Sequence, residues 1–318
     1  MQYIDVFNGD ADGICALHQM RLANPVESQL ITGVKRDISL LKKVQASAGD
    51  QLLVLDISLD KNRDELLSLL ENKVQIEYFD HHFAGDIPEN PLLTTHINTD
   101  PNTCSSLLVN EHLKSQFLPW AVTAAFGDNL HASACTAAKP LGLNQEQLDA
   151  LELLGTCINY NGYGSSLDDL LFTPQALYKK ISHYESPFHF IASDENYQTL
   201  VNGYQEDLAK AESCKPAFEK SRHSITILPN EKWARRVSGV YANALATGNP
   251  DRAHAMLTQQ DDDSFLVSVR APLNNKTGAD ELCRQFETGG GRKAAAGINK
   301  LPASDYDLFL QKFTASFA

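Results

Sequence analysis

Val74-Gln75-Ile76-Glu77-Tyr78-Phe79-Asp80-His81-His82 is the most informative segment of this sequence. Its apolar first part predicts a β-strand, which ends at the tripeptide Asp80-His81-His82. Near the N-terminus, the apolar run Tyr3–Phe7 is followed in the same way by Asn8-Gly9-Asp10-Ala11-Asp12-Gly13. A third apolar run, residues 51–57, delivers Asp56. Three predicted strands therefore bring acids or imidazoles to their carboxyl ends.

The order of the predicted elements indicates an α/β fold. Strands over residues 3–7, 29–34, 51–57 and 74–79 alternate with helices that are predicted from Ile14 onward, over residues 37–46 and over residues 60–71. This alternation predicts an N-terminal parallel sheet with flanking helices. Because ligands bind at the carboxyl ends of the strands in an open sheet of this kind, we expect the acids and imidazoles to form one site.

The length of 318 residues suits two domains of ordinary size. Residues 1–190 are predicted to form the N-terminal domain. Residues 191–220 are assigned to the connection between the two domains. It comprises a linker, centred around residues 186–196, and a connecting helix after it. Residues 221–318 are predicted to form a smaller C-terminal α/β domain, in which a glycine loop, Gly289-Gly290-Gly291, precedes a last helix.

Composition and charge narrow the classes of function. The formal net charge of −13 argues against a protein that tracks long duplex nucleic acid, since such proteins usually carry a basic face. We expect instead a small anionic substrate. The sequence shows no apolar run of membrane-spanning length and no signal peptide, and its six cysteines are scattered. A cytoplasmic protein with reduced thiols and no membrane contact is predicted, and a homodimer is left open.

The acids and imidazoles at the strand ends are candidate metal ligands. Asp10 and Asp12 flank one residue in a flexible turn, Asp56 is a candidate bridge between two ions, and Asp128 follows another apolar run. Taken alone, Asp10 or Asp12 is better explained by a turn and Asp56 or Asp128 by a helix cap, and His81 or His82 could be an ordinary surface or hydrogen-bonded histidine. Together they favour a site for Mn²⁺, with one or two ions, and Mg²⁺ or Co²⁺ as further candidates. The candidate catalytic residues are Asp10, Asp12, Asp56, His81, His82 and Asp128.

These motifs resemble the DHH phosphoesterase superfamily over nearly the whole chain. The stretch from Asn8 to Gly13 is similar to its first motif, Asp56 to its second, Asp80-His81-His82 to its third and Asp128 to its fourth. The C-terminal region resembles the associated DHHA1 domain. The resemblance implies metal-dependent phosphoester hydrolysis, with ligands drawn from Asn8, Asp10, Asp12, Asp56, His81, His82 and Asp128. It also implies substrate binding by Arg270, Gly289, Gly290, Gly291, Arg292 and Lys293.

Two positions depart from the pattern of the superfamily. Asn8 and Arg292 each stand where many members carry histidine. Asn8 predicts a weak first metal site or a single-metal mode. Arg292 can still bind a phosphate, but it cannot act as an acid near pH 7. The function predicted is a manganese-dependent phosphoesterase or phosphodiesterase that hydrolyses a small nucleotide or short oligonucleotide. Two alternatives are a RecJ-like single-strand exonuclease and a nucleotide-binding sensor without catalytic activity.

Overall fold

A computed structural model describes all residues from Met1 to Ala318. The chain divides into two compact units, Met1–Gly203 and Tyr204–Ala318. The boundary falls inside a long helix, Glu195–Ser213, which occupies the place of the predicted connecting helix.

The first unit is built on a parallel sheet of five strands. The sheet runs in the order β2-β1-β3-β4-β5, and every neighbouring pair is parallel. This arrangement confirms the predicted N-terminal parallel sheet. The strands are β1 (Tyr3–Phe7), β2 (Ser28–Ile31), β3 (Gln51–Leu55), β4 (Gln75–Asp80) and β5 (Leu93–Ile97).

Helices cover the sheet and form a second layer beyond it. Leucines of the second helix pack on one face of the sheet, and a separate apolar cluster joins the third to sixth helices. The helices are α1 (Ala11–Ala23), α2 (Arg63–Glu71), α3 (Ser105–His112), α4 (Leu118–Gly127), α5 (His131–Ala138), α6 (Gln145–Gly162), α7 (Pro174–Ile181), α8 (Pro187–Ser193) and α9 (Glu195–Ser213).

One local prediction in this unit was wrong. The helix predicted over residues 37–46 is only a short 3₁₀ turn, Leu40–Lys43. The side chain of buried Asn62 accepts from the Leu41 N–H at 3.1 Å and donates to the Ile38 carbonyl at 2.7 Å, so it takes over backbone groups that a helix would pair. The linker predicted around residues 186–196 contains α8, because Ser186 caps that helix and proline occupies its first position.

The second unit is a mixed sheet of six strands in the order β10-β11-β9-β8-β7-β6, which confirms the predicted α/β character. Only β7 and β8 pair in parallel. Phe309 and Phe313 of the last helix are fully buried against the sheet. The elements are β6 (Phe218–Glu219), β7 (His223–Leu228), α10 (Lys232–Gly248), β8 (Ala253–Gln259), β9 (Ser264–Arg270), α11 (Ala279–Cys283), β10 (Gly289–Gly291), β11 (Ala295–Pro302) and α12 (Tyr306–Ser316).

The predicted glycine loop is in fact strand β10, paired antiparallel with β11. A Cβ at position 289 would lie 1.7 Å from the Cys283 carbonyl oxygen, and one at position 291 would lie 2.4 Å from the Ala296 Cα. Gly291 also has a φ of +139°, which side chains rarely adopt. Close packing therefore explains two of the three glycines.

All six cysteines are free thiols. None of the twelve helices combines the length and the apolar character that a membrane crossing requires.

Candidate metal centre

The parallel register brings three strand ends together. Phe7, Leu55 and Phe79 are register partners on β1, β3 and β4, so the residues that follow them emerge at one edge of the sheet. Asp56 follows Leu55 with a φ of +58°, and its N–H donates to the Phe79 carbonyl at 3.0 Å. A positive φ is uncommon for a residue with a side chain, and such positions cluster at functional sites.

Asp10 is the N-cap of α1. Its Oδ1 accepts the backbone N–H groups of Asp12 at 3.0 Å and Gly13 at 3.1 Å. A Cβ at position 13 would lie 2.3 Å from the Asn8 carbonyl oxygen, so the turn requires glycine there. Helix capping and the candidate ligand role therefore fall on the same carboxylate, and its second oxygen, Oδ2, faces the site.

The N-terminus of α3 holds two more acids. Asp12 accepts backbone N–H groups from Ser105 and Ser106, both at 2.7 Å. The Ser105 hydroxyl lies 3.1 Å from Oδ1 of Asp56 and can donate to it. A helix N-terminus stabilises negative charge, so α3 orients both carboxylates. The sequence did not reveal this role of the two serines.

The two histidines are held by different partners. His81 Nδ1 lies 2.9 Å from the Thr103 carbonyl oxygen, which can only accept, so Nδ1 carries the proton and Nε2 of the neutral ring has the lone pair. That Nε2 lies 3.5 Å from Oδ1 of Asp56. His82 Nδ1 lies 2.7 Å from Oδ1 of Asp80, a buried carboxylate that fixes the orientation of the ring.

Asp128 reaches the site from the C-terminal end of α4. Gly127 lets α4 approach α1 and α6 closely, because a Cβ there would lie 2.4 Å from the Ala11 Cβ and 2.7 Å from the Gly155 carbonyl oxygen. As a result Oδ2 of Asp128 lies 3.9 Å from Nε2 of His81. The fourth motif thus joins the other three, although it lies on a helix and not on the sheet.

Lys35 is a site residue that the sequence analysis missed. Its Nζ lies 2.5 Å from Oδ2 of Asp10, 2.8 Å from Oδ1 of Asn159 and 3.6 Å from Oδ1 of Asp128. The residue follows β2, whose carboxyl end lies at the same edge of the sheet. The rule that located the acids would have located this lysine too, had it been applied to the second strand.

Asn8 is linked to the same lysine. Its Nδ2 donates to the Lys35 backbone carbonyl at 3.2 Å. Its Oδ1 is buried and accepts no hydrogen bond, which is a rare state for a side-chain oxygen. The amide therefore anchors Lys35 through one atom and keeps the other as an unused acceptor.

The carboxylates are buried and mutually repulsive. Burial raises the pKa of Asp56 well above its ordinary value, and the charges of Asp12 and Asp10 add to the effect. Burial also raises the pKa of Asp12, although the His81 imidazole acts in the opposite direction. For Asp10 burial again acts to raise the pKa, but the charge and hydrogen bond of Lys35 outweigh it, so the pKa is lowered. A cation bound among these carboxylates would offset their mutual repulsion.

These donors fit a divalent ion. The ligand atoms of Asp56, His81 and His82 all lie within 4.8 Å of one another. Carboxylate oxygen combined with imidazole nitrogen suits Mn²⁺ and related ions. The structure therefore brings together all the predicted ligand residues at one edge of the sheet: Asn8, Asp10, Asp12, Asp56, His81, His82 and Asp128.

The predicted substrate residues lie in the second unit. Arg270 ends β9 opposite Ala295, and its Nε donates to Asn243 at 2.7 Å. Arg292 and Ala295 pair through both backbone groups, so Lys293 stands at the tip of the turn between β10 and β11. The side chains of Arg292 and Lys293 are exposed. A role for these residues and for the three glycines in substrate binding remains a prediction.

Comparison with known proteins gives a result for the fold and none for the sequence. No protein-family model matches the chain, and no curated protein matches it at a significant level. A manganese-bound RecJ exonuclease superposes with a TM-score of 0.65 at 16% identity, covering 100% of this chain and 91% of the other. The pGpG-specific phosphodiesterase PggH from Vibrio cholerae gives a TM-score of 0.60 at 14% identity, with 99% of both chains covered.

An exopolyphosphatase-related protein from Bacteroides fragilis is also similar, with a TM-score of 0.53 at 12% identity over 99% of this chain and 90% of the other. The chain therefore has a RecJ-like fold, and the resemblance seen in its motifs is confirmed for the architecture.

Proposed function

We propose that the chain is a cytoplasmic metal-dependent phosphoesterase, with Mn²⁺ as its ion, that hydrolyses a small nucleotide or a short oligonucleotide. The observation that carries the proposal is the convergence of Asp56, His81 and His82 within 4.8 Å, at the edge where Asp10, Asp12 and Asp128 also lie. No structural requirement of the sheet calls for so many buried charges in one place, and burying charges without partners costs stability.

The residues divide into those that would hold the ion and those that hold the ligands in place. A bound divalent ion would lower the pKa of a water molecule that it binds, so that this water could act as the nucleophile. It would also neutralise charge on the phosphoryl oxygens. His81 would present its Nε2 to the ion, because the Thr103 carbonyl oxygen accepts the hydrogen of Nδ1. Asp12 is held by the backbone of α3, so its position does not depend on the ligand. This pre-orientation is what a hydrolytic site needs.

The substrate class is supported by the second unit and by the similar folds. Arg270, Arg292 and Lys293 supply guanidinium and ammonium groups that bind phosphate. PggH is a phosphodiesterase specific for a linear dinucleotide, and RecJ is an exonuclease. A linear dinucleotide is therefore the first substrate to test.

The test is a hydrolysis assay with metal-stripped protein, to which Mn²⁺, Mg²⁺ or Co²⁺ is returned. The panel contains a linear dinucleotide, a cyclic dinucleotide, a 3′,5′-bisphosphonucleotide, a labelled single-stranded oligonucleotide and pyrophosphate. We expect turnover of the dinucleotide with Mn²⁺ and none with the matched variant Asp56→Asn. Equal activity in the two proteins would show a contaminant and leave the proposal without support.

The same panel separates the two alternatives. Processive shortening of the oligonucleotide, with little release from the dinucleotide, would favour an exonuclease. Tight dinucleotide binding in a titration, without hydrolysis under any of the three ions, would favour a sensor.

A further inference from the structure

We infer that the ammonium group of Lys35 takes the place of one of two cations, so that the centre binds a single divalent ion. The inference rests on the proposed function, because it assumes that the same carboxylates bind metal. Lys35 supplies the second positive charge from the chain itself.

The first argument is the occupancy of Asp10. Its Oδ2 is bonded to the Lys35 Nζ at 2.5 Å, and its Oδ1 accepts two backbone N–H groups. Both oxygens are therefore engaged by hydrogen-bond donors. An ion bound to Oδ2 at roughly 2.0–2.2 Å would lie close to the ammonium, and two like charges at that distance repel strongly. Asp10 can serve Lys35 or a second ion, and the structure shows it serving Lys35.

The second argument is that Lys35 is fixed in this position. Its backbone N–H donates to the Gly162 carbonyl at 2.9 Å, and its own carbonyl accepts from Asn8. Its ammonium is bonded to Asn159 as well as to Asp10, and it lies 5.4 Å from the centre of the Tyr163 ring. A lysine on a flexible surface segment would have none of these constraints. The backbone and the side chain together hold the charge in the site.

The third argument is the number of places where three potential metal-ligand atoms lie close together. The edge of the sheet contains one group of three mutually close ligand atoms, from Asp56, His81 and His82. The Lys35 ammonium lies next to Asp10 and 3.6 Å from Oδ1 of Asp128, the residue whose other oxygen is 3.9 Å from His81 Nε2. A phosphoryl group bound here would meet both a divalent ion and an ammonium, and the two different cations would share the charge of its oxygens.

The experiment counts bound manganese. Wild type, Lys35→Met and Lys35→Arg are equilibrated with excess Mn²⁺ by dialysis, and the metal per chain is measured by mass spectrometry. All three proteins carry His112→Ala, so that 'wild type' in this experiment means unchanged at position 35. The substitution removes one member of the other cluster of close ligand atoms, Glu77, His96 and His112, which could add an ion. Electron paramagnetic resonance of the bound ion shows whether it is isolated or coupled to a neighbour.

The expected count is one ion per chain in wild type and in Lys35→Arg, with the signal of an isolated ion. Lys35→Met, which keeps the bulk but loses the charge, should bind two ions with the signal of a coupled pair. Two coupled ions in wild type would overturn the inference and leave the proposed function intact. One ion in a folded Lys35→Met would also overturn it. If wild type binds no manganese, the proposed function itself fails. If Lys35→Met does not fold, the spectrum of wild type decides alone.

Discussion

The two units of this protein carry their candidate site charges in opposite ways. Asp10, Asp12 and Asp56 of the first unit are at most 3% exposed, and each is held by hydrogen bonds from the chain itself. Arg292 and Lys293 of the second unit stand exposed in a turn, and their side chains form no hydrogen bond or ion pair. A cluster of the first kind is arranged before any ligand arrives. Charges of the second kind keep their freedom until a ligand restricts them.

Buried carboxylates and exposed cations also differ in their effects on folding stability and binding affinity. Buried carboxylates that repel one another destabilise the fold, and this strain is tolerated where a cation later balances it. Exposed cations cost the fold almost nothing, but ordering them on binding reduces the affinity that they give. We therefore expect substitutions in the first unit to change both stability and turnover, and substitutions in the turn of the second unit to change binding alone.

Asp56→Asn should produce the largest effect. Asparagine tolerates the positive φ at this position, so the backbone is preserved, but the charge that would hold the ion is lost. Turnover should fall by more than about 100-fold, since even changes in the outer shell of a metal site cost about 10- to 100-fold. The measurement is Mn²⁺-dependent hydrolysis of the best substrate. Activity close to wild type would remove Asp56 from the site.

Asp56→Asn also tests whether the buried charge of Asp56 destabilises the fold. The folded state raises the pKa of Asp56, so the ionised form at neutral pH opposes folding, and this penalty disappears as the pH falls below the unfolded value. Without metal, Asp56→Asn should therefore be more stable by about 1 kcal/mol, a rise in Tm of about 2–4 °C. A lower Tm in metal-free buffer would show that the carboxylate stabilises the fold.

Arg292→Ala should act on binding only. Loss of a charge-assisted hydrogen bond costs about 1.5–3 kcal/mol, which is about tenfold or more in KM for a nucleotide substrate. Metal affinity should not change. Arg284→Ala is the matched control, because Arg284 is also an exposed arginine of the second unit but pairs with Asp280. If the two variants behave alike, Arg292 has no special role and the turn is structural.

Sequence reasoning succeeded where a rule links a local pattern to a position in the fold. The parallel sheet follows from alternating apolar runs, and the shared edge of Asp10, Asp56 and His81 follows from the parallel direction of the strands. It failed where distant residues decide the outcome. The 3₁₀ turn at residues 40–43 depends on Asn62, and the hold on Asp12 depends on Ser105, which lies 93 positions away. The hydrophobic periodicity of a single segment cannot predict contacts between residues that are far apart in the sequence.

His18, a buried histidine of the first unit outside the site, makes the stability depend on pH. It is 1% exposed, packs with its ring at 88° to that of Trp120 and lies 2.8 Å from the Tyr184 carbonyl oxygen. Burial lowers its pKa to about 4, and the bond to Tyr184 opposes the shift only in part. Its contribution to stability is complete above its ordinary value of 6.5 and is lost as the pH falls toward 4. At about pH 5 the loss should be about 2 kcal/mol.

This loss is measured by urea unfolding at neutral pH and at about pH 5, in a Trp233→Phe background so that Trp120 reports on the first unit. His18→Gln, which cannot take up the proton, should be less sensitive to pH than its parent. An equal drop in both proteins would assign the acid sensitivity of this unit to other groups.

Asn8→His should have the smallest effect on its own, although imidazole is a better ligand for Mn²⁺ than an amide. The reason is Lys35, which already engages Asp10 beside this position, so an added imidazole meets no second ion to bind. Combined with Lys35→Met, the same change should tighten binding of the weaker ion by about tenfold. Titration of bound Mn²⁺ in the four proteins of this cycle gives the comparison directly. A clear gain from Asn8→His with Lys35 in place would mean that the ammonium leaves room for a second metal, and the buried charges of the first unit would then be balanced by two ions and not by one.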